Sequence, residues 1–179
     1  MTVSENQSGT QTAEVFAITS STNATPIVVT TPTHGWSNGD HVTIVDHLVN
    51  TAANGHWVLA NKTATTFELT GSVGNGIGGA TGSVGKEHFQ TAITAAGVYQ
   101  FASDTVNLAN GDLVEFRVFS KLLTGDSLSE VFYADYSNDQ GDNVIKPSPP
   151  LLVPHGYQVS ICQPKGTTGR AFKWAVYQA

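Results

Sequence analysis

The segment Leu113-Val114-Glu115-Phe116-Arg117-Val118-Phe119 decides the fold class. Its side chains alternate, so that Val114, Phe116 and Val118 share one face and Glu115, Arg117 and Phe119 take the other. Successive side chains of a β-strand point to opposite faces, and such alternation is typical of an antiparallel strand with one buried face. The sequence therefore predicts a half-buried strand here and a sheet around it.

Similar short runs of β-branched and aromatic residues recur along the whole chain. Turn residues such as Pro32, Asn38-Gly39 and Asn54-Gly55 separate them. Short strands at this spacing indicate a small barrel or a sandwich. We therefore expect an all-β chain with strands at Val15–Ile18, Ile27–Thr30, His41–Val45, His56–Leu59, Thr66–Leu69, Val98–Phe101, Val131–Tyr136, Tyr157–Ile161 and Ala171–Tyr177.

A glycine-rich stretch over residues 71–85 marks a change in composition. Glycine at this density suits turns and linkers better than strand interiors. We expect a mobile N-terminal tail over residues 1–12 and a small β-barrel module over residues 13–85 that ends in a Gly-rich linker. An antiparallel, jelly-roll-like β-sandwich module over residues 86–179 follows.

One local pattern occurs twice. Asn38-Gly39-Asp40 and Asn110-Gly111-Asp112 each precede a predicted strand. Asn-Gly supplies the positive φ of a tight turn, so shared turn chemistry explains the recurrence. Ancestral duplication is the alternative, and we favour turn chemistry.

Composition excludes several classes of function. The chain has 14 acidic and 8 basic residues among 179, a net charge of -6, which argues against nucleic acid as a partner because backbone binding needs clustered Lys and Arg. No stretch approaches the ~18 consecutive apolar residues of a membrane helix, so we expect no membrane partner. The single cysteine, Cys162, excludes an intrachain disulfide and a thiolate metal cluster.

Gly125-Asp126-Ser127-Leu128-Ser129 has the letters of the GDSL esterase nucleophile block. That chemistry needs a serine activated by a histidine that an aspartate orients. The one downstream histidine is His155, no Asp stands three residues before it, and the context is all-β. We interpret the block as a turn and expect no catalytic residue and no enzyme.

Metal and cofactor sites are also not expected. The six histidines are not spaced to bring imidazoles together on one strand or helix face. The acidic run Asp135–Asp142 lacks the Gly and Glu that an EF-hand requires at its sixth and twelfth positions, where Gln140 and Lys146 stand. Ordinary loops account for both features.

The loop around Trp36 is the candidate contact surface. Trp36 lies among turn residues, where burial is difficult, and His34 and Asn38 flank it. We expect these three side chains to form an exposed contact surface. The alternative is that Trp36 caps the end of the barrel.

Four ordered blocks carry a family resemblance: Asn23–Thr30, His34–Ile44, Asn50–Trp57 and Thr65–Leu69. Together they resemble a small β-barrel module that recurs in virion proteins of tailed bacteriophages. The resemblance covers residues 18–76, about a third of the chain, and Trp36 stands where the module more usually has leucine. It implies a structural or attachment role and carries over no catalytic residue.

The resemblance implies a non-enzymatic virion protein, made in the host cytoplasm. We expect a capsid decoration or head-surface protein that contacts the major capsid protein, or neck and tail proteins, as a homo-oligomer. A trimer would suit capsid symmetry. The alternatives are a neck or tail accessory protein and a tail-tip receptor-binding module for a glycan, which needs an exposed aromatic ring beside polar residues in a groove.

Overall fold

In a computed structural model that describes residues 3–179, about half of the residues lie in β-strands and most of the others in turns and loops. These residues form fifteen strands and one turn of 3-10 helix, Thr51–Ala53. The all-β prediction is confirmed. Within the described residues, no helix is long and apolar enough to cross a membrane.

All strand pairings given below are antiparallel. The strands, in chain order, are β1 (Ser4–Thr12), β2 (Val15–Ala17), β3 (Ser20–Ser21), β4 (Val28–Thr30), β5 (His41–Val45), β6 (Gly55–Ala60), β7 (Thr66–Leu69), β8 (Ser83–Phe89), β9 (Gly97–Asp104), β10 (Leu113–Lys121), β11 (Ser129–Ser137), β12 (Ile145–Pro147), β13 (Leu151–Val153), β14 (His155–Lys165) and β15 (Ala171–Gln178).

The chain divides into two compact units. The barrel unit comprises residues 14–87 and 162–169, and the sandwich unit comprises the N-terminal residues to 13 with residues 88–161 and 170–179. The chain passes from one unit to the other four times, and the expected boundary near residue 85 lies close to the passage after residue 87. The sequence did not predict that the N-terminal segment belongs to the sandwich unit or that residues 162–169 belong to the barrel unit.

The barrel unit closes on itself. Its strands follow the order β8-β5-β6-β7-β4. One segment, residues 15–21, bonds both ends of this order, because β2 pairs with β8 and β3 pairs with β4. The closed order makes this unit the predicted small barrel.

The barrel core is built from buried side chains in and next to these strands. Its fully buried members include Ile27, Val29, Ile44, Phe67 and Leu69. Each large apolar side chain that leaves water contributes about 1.5–3 kcal/mol. Burial of these side chains therefore contributes to the stability of this unit.

The two Asn-Gly-Asp turns share the same hydrogen bonds. Asp40 Oδ2 accepts from Ser37 N at 2.8 Å, and Asp112 Oδ2 accepts from Ala109 N at 3.0 Å. The glycines of the two turns have φ of 88° and 92°. This common turn chemistry accounts for the recurrence without a duplication.

The sandwich unit has two facing sheets. In one, β1 pairs with β15 and β15 with β9, and β12 and β13 both pair with β9. In the other, β10 lies between β11 and β14. Aromatic and aliphatic side chains from both sheets fill the space between them: Tyr99, Phe101, Phe172 and Val176 from the first and Val114, Phe116, Val118, Val159 and Ile161 from the second.

The charged face of β10 is buried, which corrects the prediction of a half-buried strand. Val114, Phe116 and Val118 are at most 1% exposed as predicted, but Glu115 and Arg117 are only 5% and 2% exposed. Their charges are compensated: Arg117 Nη2 donates to Glu115 Oε2 at 2.6 Å, and Arg117 Nε lies 3.1 Å from Glu130 Oε2. Tyr133 OH donates to the other Glu115 oxygen at 3.1 Å. A charge network thus permits burial where alternation alone predicted a solvated face.

The N-terminal segment is not the mobile tail predicted for residues 1–12. Residues 1 and 2 lie outside the described residues, and Ser4–Thr12 form β1, whose partners in β15 run from Gln178 to Ala171. An edge strand needs backbone hydrogen bonds rather than apolar side chains. The Trp174 ring lies against Gly9, which covers the strand at its centre.

Candidate interaction surfaces

Trp36 lies in the barrel core, so the prediction that it is an exposed contact residue is wrong. It is 0% exposed, and its ring packs against Phe16 and Phe67 with centroids 5.4 and 5.6 Å away. Its indole N–H donates to Glu14 Oε2 at 3.0 Å. A buried tryptophan needs a hydrogen-bond acceptor for its N–H. The Glu14 carboxylate is this acceptor, so the ring can point into the core although Trp36 lies in a loop.

His34 and Asn38 do not extend a contact surface around Trp36 either. His34 is 5% exposed, its ring centroid is 5.0 Å from that of Trp36, and burial lowers the pKa of its imidazole. Asn38 is exposed, but its Oδ1 accepts from Lys62 N at 2.9 Å and so joins two loops. The three predicted residues therefore organise one end of the barrel unit.

Asp126 and Ser127 belong to the turn that joins β10 to β11. Asp126 Oδ2 accepts from Leu123 N at 2.9 Å, which closes the turn. His155 Nδ1 lies 3.3 Å from Thr124 Oγ1. Asp126, the aspartate of the GDSL sequence, thus accepts a backbone hydrogen bond within its own turn.

The other polar clusters also serve local structure. In the acidic loop, Asp139 Oδ1 accepts from Gly141 N at 2.9 Å. Over residues 3–179 the structure brings together no group of three or more His, Cys, Asp or Glu side chains that would hold a metal ion. Cys162 is a buried free cysteine.

The glycine-rich residues 71–82, here called the strap, pack tightly on the barrel unit. A Cβ on Gly78 would overlap the carbonyl oxygen of Ser21, and one on Gly76 would overlap the carbonyl oxygen of Val49. Glycine is the residue that lets two backbones approach this closely. This corrects the predicted linker: most of the Gly-rich stretch is part of the packed barrel unit.

His47 anchors both the strap and the adjoining loop, residues 47–54. Its fully buried imidazole accepts from Asn50 N at Nδ1, 3.2 Å away, and Nε2 lies 2.8 Å from Ser21 Oγ. Ser21 Oγ in turn accepts from Gly79 N at 3.3 Å. Because Nδ1 accepts, the proton of the neutral ring is on Nε2, and burial lowers the pKa of His47.

Three exposed aliphatic residues project from this anchored region. Leu48, Val49 and Ile77, here called the aliphatic platform, are 74%, 38% and 78% exposed. Val49 Cγ2 lies 3.2 Å from the position that a Cβ on Gly79 would take, so strap and loop are in contact. Neither residues 47–54 nor residues 70–84 include an Asp, Glu, Lys or Arg. Apolar residues grouped on the surface are typical of interaction sites.

The sandwich unit has an apolar groove of about 500 Å³, here called the edge groove. It lies beside β11 and β13 and is lined by the apolar residues Leu122, Val131, Leu151, Leu152 and Pro154, together with Lys121 and Asp126. Leu152 is 81% exposed and Leu122 75%. Leucines this exposed beside a concave apolar surface are a second candidate interaction site.

A shallower depression of about 410 Å³, here called the polar trough, lies on the β1–β15–β9 sheet of the same unit. Its lining includes the small residues Ala102 and Ala175, which are paired across β9 and β15. Tyr177, Lys173, Asp104 and Glu5 are among the residues around them. The trough thus places two aromatic residues, Trp174 and Tyr177, beside charged and polar side chains.

Sequence reasoning missed the platform and the groove, although both left a signal. Ile77 is an isolated large aliphatic residue in an uncharged glycine run, and Leu122-Leu123 stands between the predicted strand Leu113–Phe119 and the predicted turn that begins at Gly125. Apolar residues where turn residues are expected indicate a surface role. No protein-family model matches the chain, and no curated protein sequence matches it.

Proposed function

We propose that the protein is a non-enzymatic structural component of a tailed-phage particle that attaches through protein–protein contacts. Our first assignment is a capsid decoration or head-surface protein, and the second is a neck or tail accessory protein. The observation that carries the proposal is the aliphatic platform, defined above by Leu48, Val49 and Ile77. The resemblance of residues 18–76 to a phage virion module supports it, since the platform projects from that same barrel unit.

The chemistry of the platform suits a protein surface as its partner. Burying it removes aliphatic area from water, which is favourable by about 25 cal/mol per Å². Residues 47–54 and 70–84 are uncharged in a chain of net charge -6, so docking through them desolvates no ion.

The support beneath the platform lowers the cost of binding. Backbone contacts at Gly76 and Gly78 and the His47 hydrogen bonds order both segments before any partner arrives. Binding then orders little further chain. A small interface of this kind gains strength when it is repeated over a lattice, because attachment at one point raises the effective concentration at the next.

Sedimentation of the purified chain with empty capsids of the phage that encodes it tests the proposal. We expect the chain to sediment with capsids at a fixed stoichiometric ratio and to stay in solution without them. Binding to isolated tails instead would support the neck or tail assignment. A chain that binds neither capsids nor tails overturns the proposal.

The polar trough favours a second candidate, a tail-tip module that binds a glycan. Tyr177 is 36% exposed and offers a face for a sugar ring, and the carboxylates of Glu5 and Asp104 offer acceptors for hydroxyl groups. A glycan array with wild type and Tyr177→Ala tests this. Glycan binding that the substitution abolishes, together with no capsid binding, would establish this candidate in place of the first.

A further inference from the structure

We propose that the edge groove is a two-fold symmetric interface in which two copies of this chain cover one another. The inference rests on the proposed function only in placing this interface within a phage particle. The apolar residues and charges of the groove itself indicate that its partner is a second copy of the chain.

The groove combines a concave lining, in which five apolar residues stand beside Ser120, Ser127 and Ser129, with protruding aliphatic side chains. Leu152 and Leu122 are 81% and 75% exposed, and Val131 is 48% exposed. In a two-fold interface the same patch serves both copies, so leucines that protrude from one copy enter the groove of the other. A patch with both features provides the two halves of such a contact.

The charges of the groove are self-complementary. It has one cation, Lys121, and one anion, Asp126. Lys121 makes no ion pair with the residues that the structure describes. A two-fold axis that places Lys121 opposite Asp126 of the second copy forms this ion pair twice. Charge complementarity therefore favours a second copy over a partner of strongly acidic or basic character.

Electrostatics also restrict where two copies can meet. Each copy has a net charge of -6, so most approaches between copies bring like charges together. The edge groove is balanced, with one charge of each sign. Two copies that meet there avoid this repulsion locally.

Strand β11 gives the same surface a second reason to be covered. Among the described strands it pairs only with β10, so one side of its nine-residue backbone has no strand partner. Long uncovered edges of this kind readily pair with other chains. A second copy that binds in the groove would cover the apolar residues and would also lie next to the open edge of β11.

Native mass of the purified chain, measured by light scattering over a concentration series without capsids, tests the inference. We expect a dimer for the wild type and a monomer for Leu152→Asp. Leu48→Asp is the matched control, because Leu48 is 74% exposed and lies in the barrel unit, and it should remain a dimer. A monomeric or trimeric wild type, or a dimeric Leu152→Asp, overturns the inference.

Charge reversal tests the two-fold geometry. Lys121→Glu and Asp126→Lys each turn two attractive pairs into repulsive ones and should weaken the dimer roughly tenfold. Mixing the two variants should restore dimers that contain one copy of each, because both cross-interface pairs are attractive again. A mixture no more dimeric than its components contradicts the geometry.

A variant that keeps the hydrogen bond of the turn tests the ion pair without disturbing the fold. Asp126→Asn retains a side-chain oxygen for Leu123 N–H and removes the charge, so it should weaken the dimer about as much as Lys121→Met. The double variant should be no weaker than either single one. A dimer that binds neither capsids nor tails would refute the proposed function alone, and a monomer that binds capsids would refute this inference alone.

Discussion

Gly78 packs its backbone directly against the carbonyl oxygen of Ser21, leaving no room for a side chain at residue 78. Ser21 also receives the hydrogen bond of Gly79 N and lies 2.8 Å from His47 Nε2. One short strand therefore holds the strap and the 47–54 loop at the same point. The position of the aliphatic platform depends on this relationship.

The strap should be intolerant of added side chains. Gly78→Ala places a methyl group on a backbone atom that cannot move away, and such overpacking costs about 1–3 kcal/mol. We expect a decrease of that size in the free energy of unfolding measured with urea. Gly35→Ala is the control, because no atom lies within 4 Å of a Cβ at that position. Equal stability of the two variants would show that the strap is not packed as described.

Acidification should destabilise the protein through His47. Burial lowers its folded-state pKa below the 6.5 of the unfolded chain, so the unfolded state binds more protons once the pH falls below about 6.5. Stability is therefore greatest above that pH and is lost as the pH falls. His34, also with a lowered pKa, acts in the same direction.

Urea unfolding of wild type and His47→Gln at about pH 7.5 and about pH 5 measures this effect. The variant should be less stable than wild type at the higher pH, because it loses the anchor of the loop. It should lose less stability than wild type on acidification. An identical pH dependence in the two proteins would show that His47 does not supply it.

The buried charge network on β10 should be sensitive to the loss of one partner. Arg117→Met leaves Glu115 and Glu130 without the guanidinium, and breaking a buried pair in this way costs about 3–5 kcal/mol. The double variant Glu115→Leu/Arg117→Met removes the stranded charge as well. It should be more stable in urea than Arg117→Met, and a less stable double variant would contradict this account.

Much of the fold could be predicted from local pattern. Alternation in Leu113–Phe119 gave a strand whose Val114, Phe116 and Val118 are buried as expected. The Asn-Gly-Asp turns are where turn chemistry placed them. These features depend on residues close in sequence, which is why one sequence suffices to predict them.

The remaining features depend on contacts between distant residues. Strand β1 is polar and gives no apolar signal, and it forms because β15, near the other end of the chain, offers a backbone edge. Trp36 is buried because Phe16 packs on its ring and Glu14 accepts its N–H, and the strap is packed because Ser21 and Val49 lie against it. The Leu122 and Leu152 side chains meet at one groove although thirty residues separate them. Such partners cannot be inferred before the strand pairing is known.

The most direct test of the proposed function is the effect of Ile77→Asp on capsid binding. We predict that this variant remains folded and loses at least roughly tenfold in affinity for empty capsids, because an ion enters an apolar contact. Val106→Asp is the matched control, a 57% exposed valine in the sandwich unit, and it should bind like wild type. Equal binding by Ile77→Asp and wild type would contradict the assignment of the aliphatic platform as the docking surface.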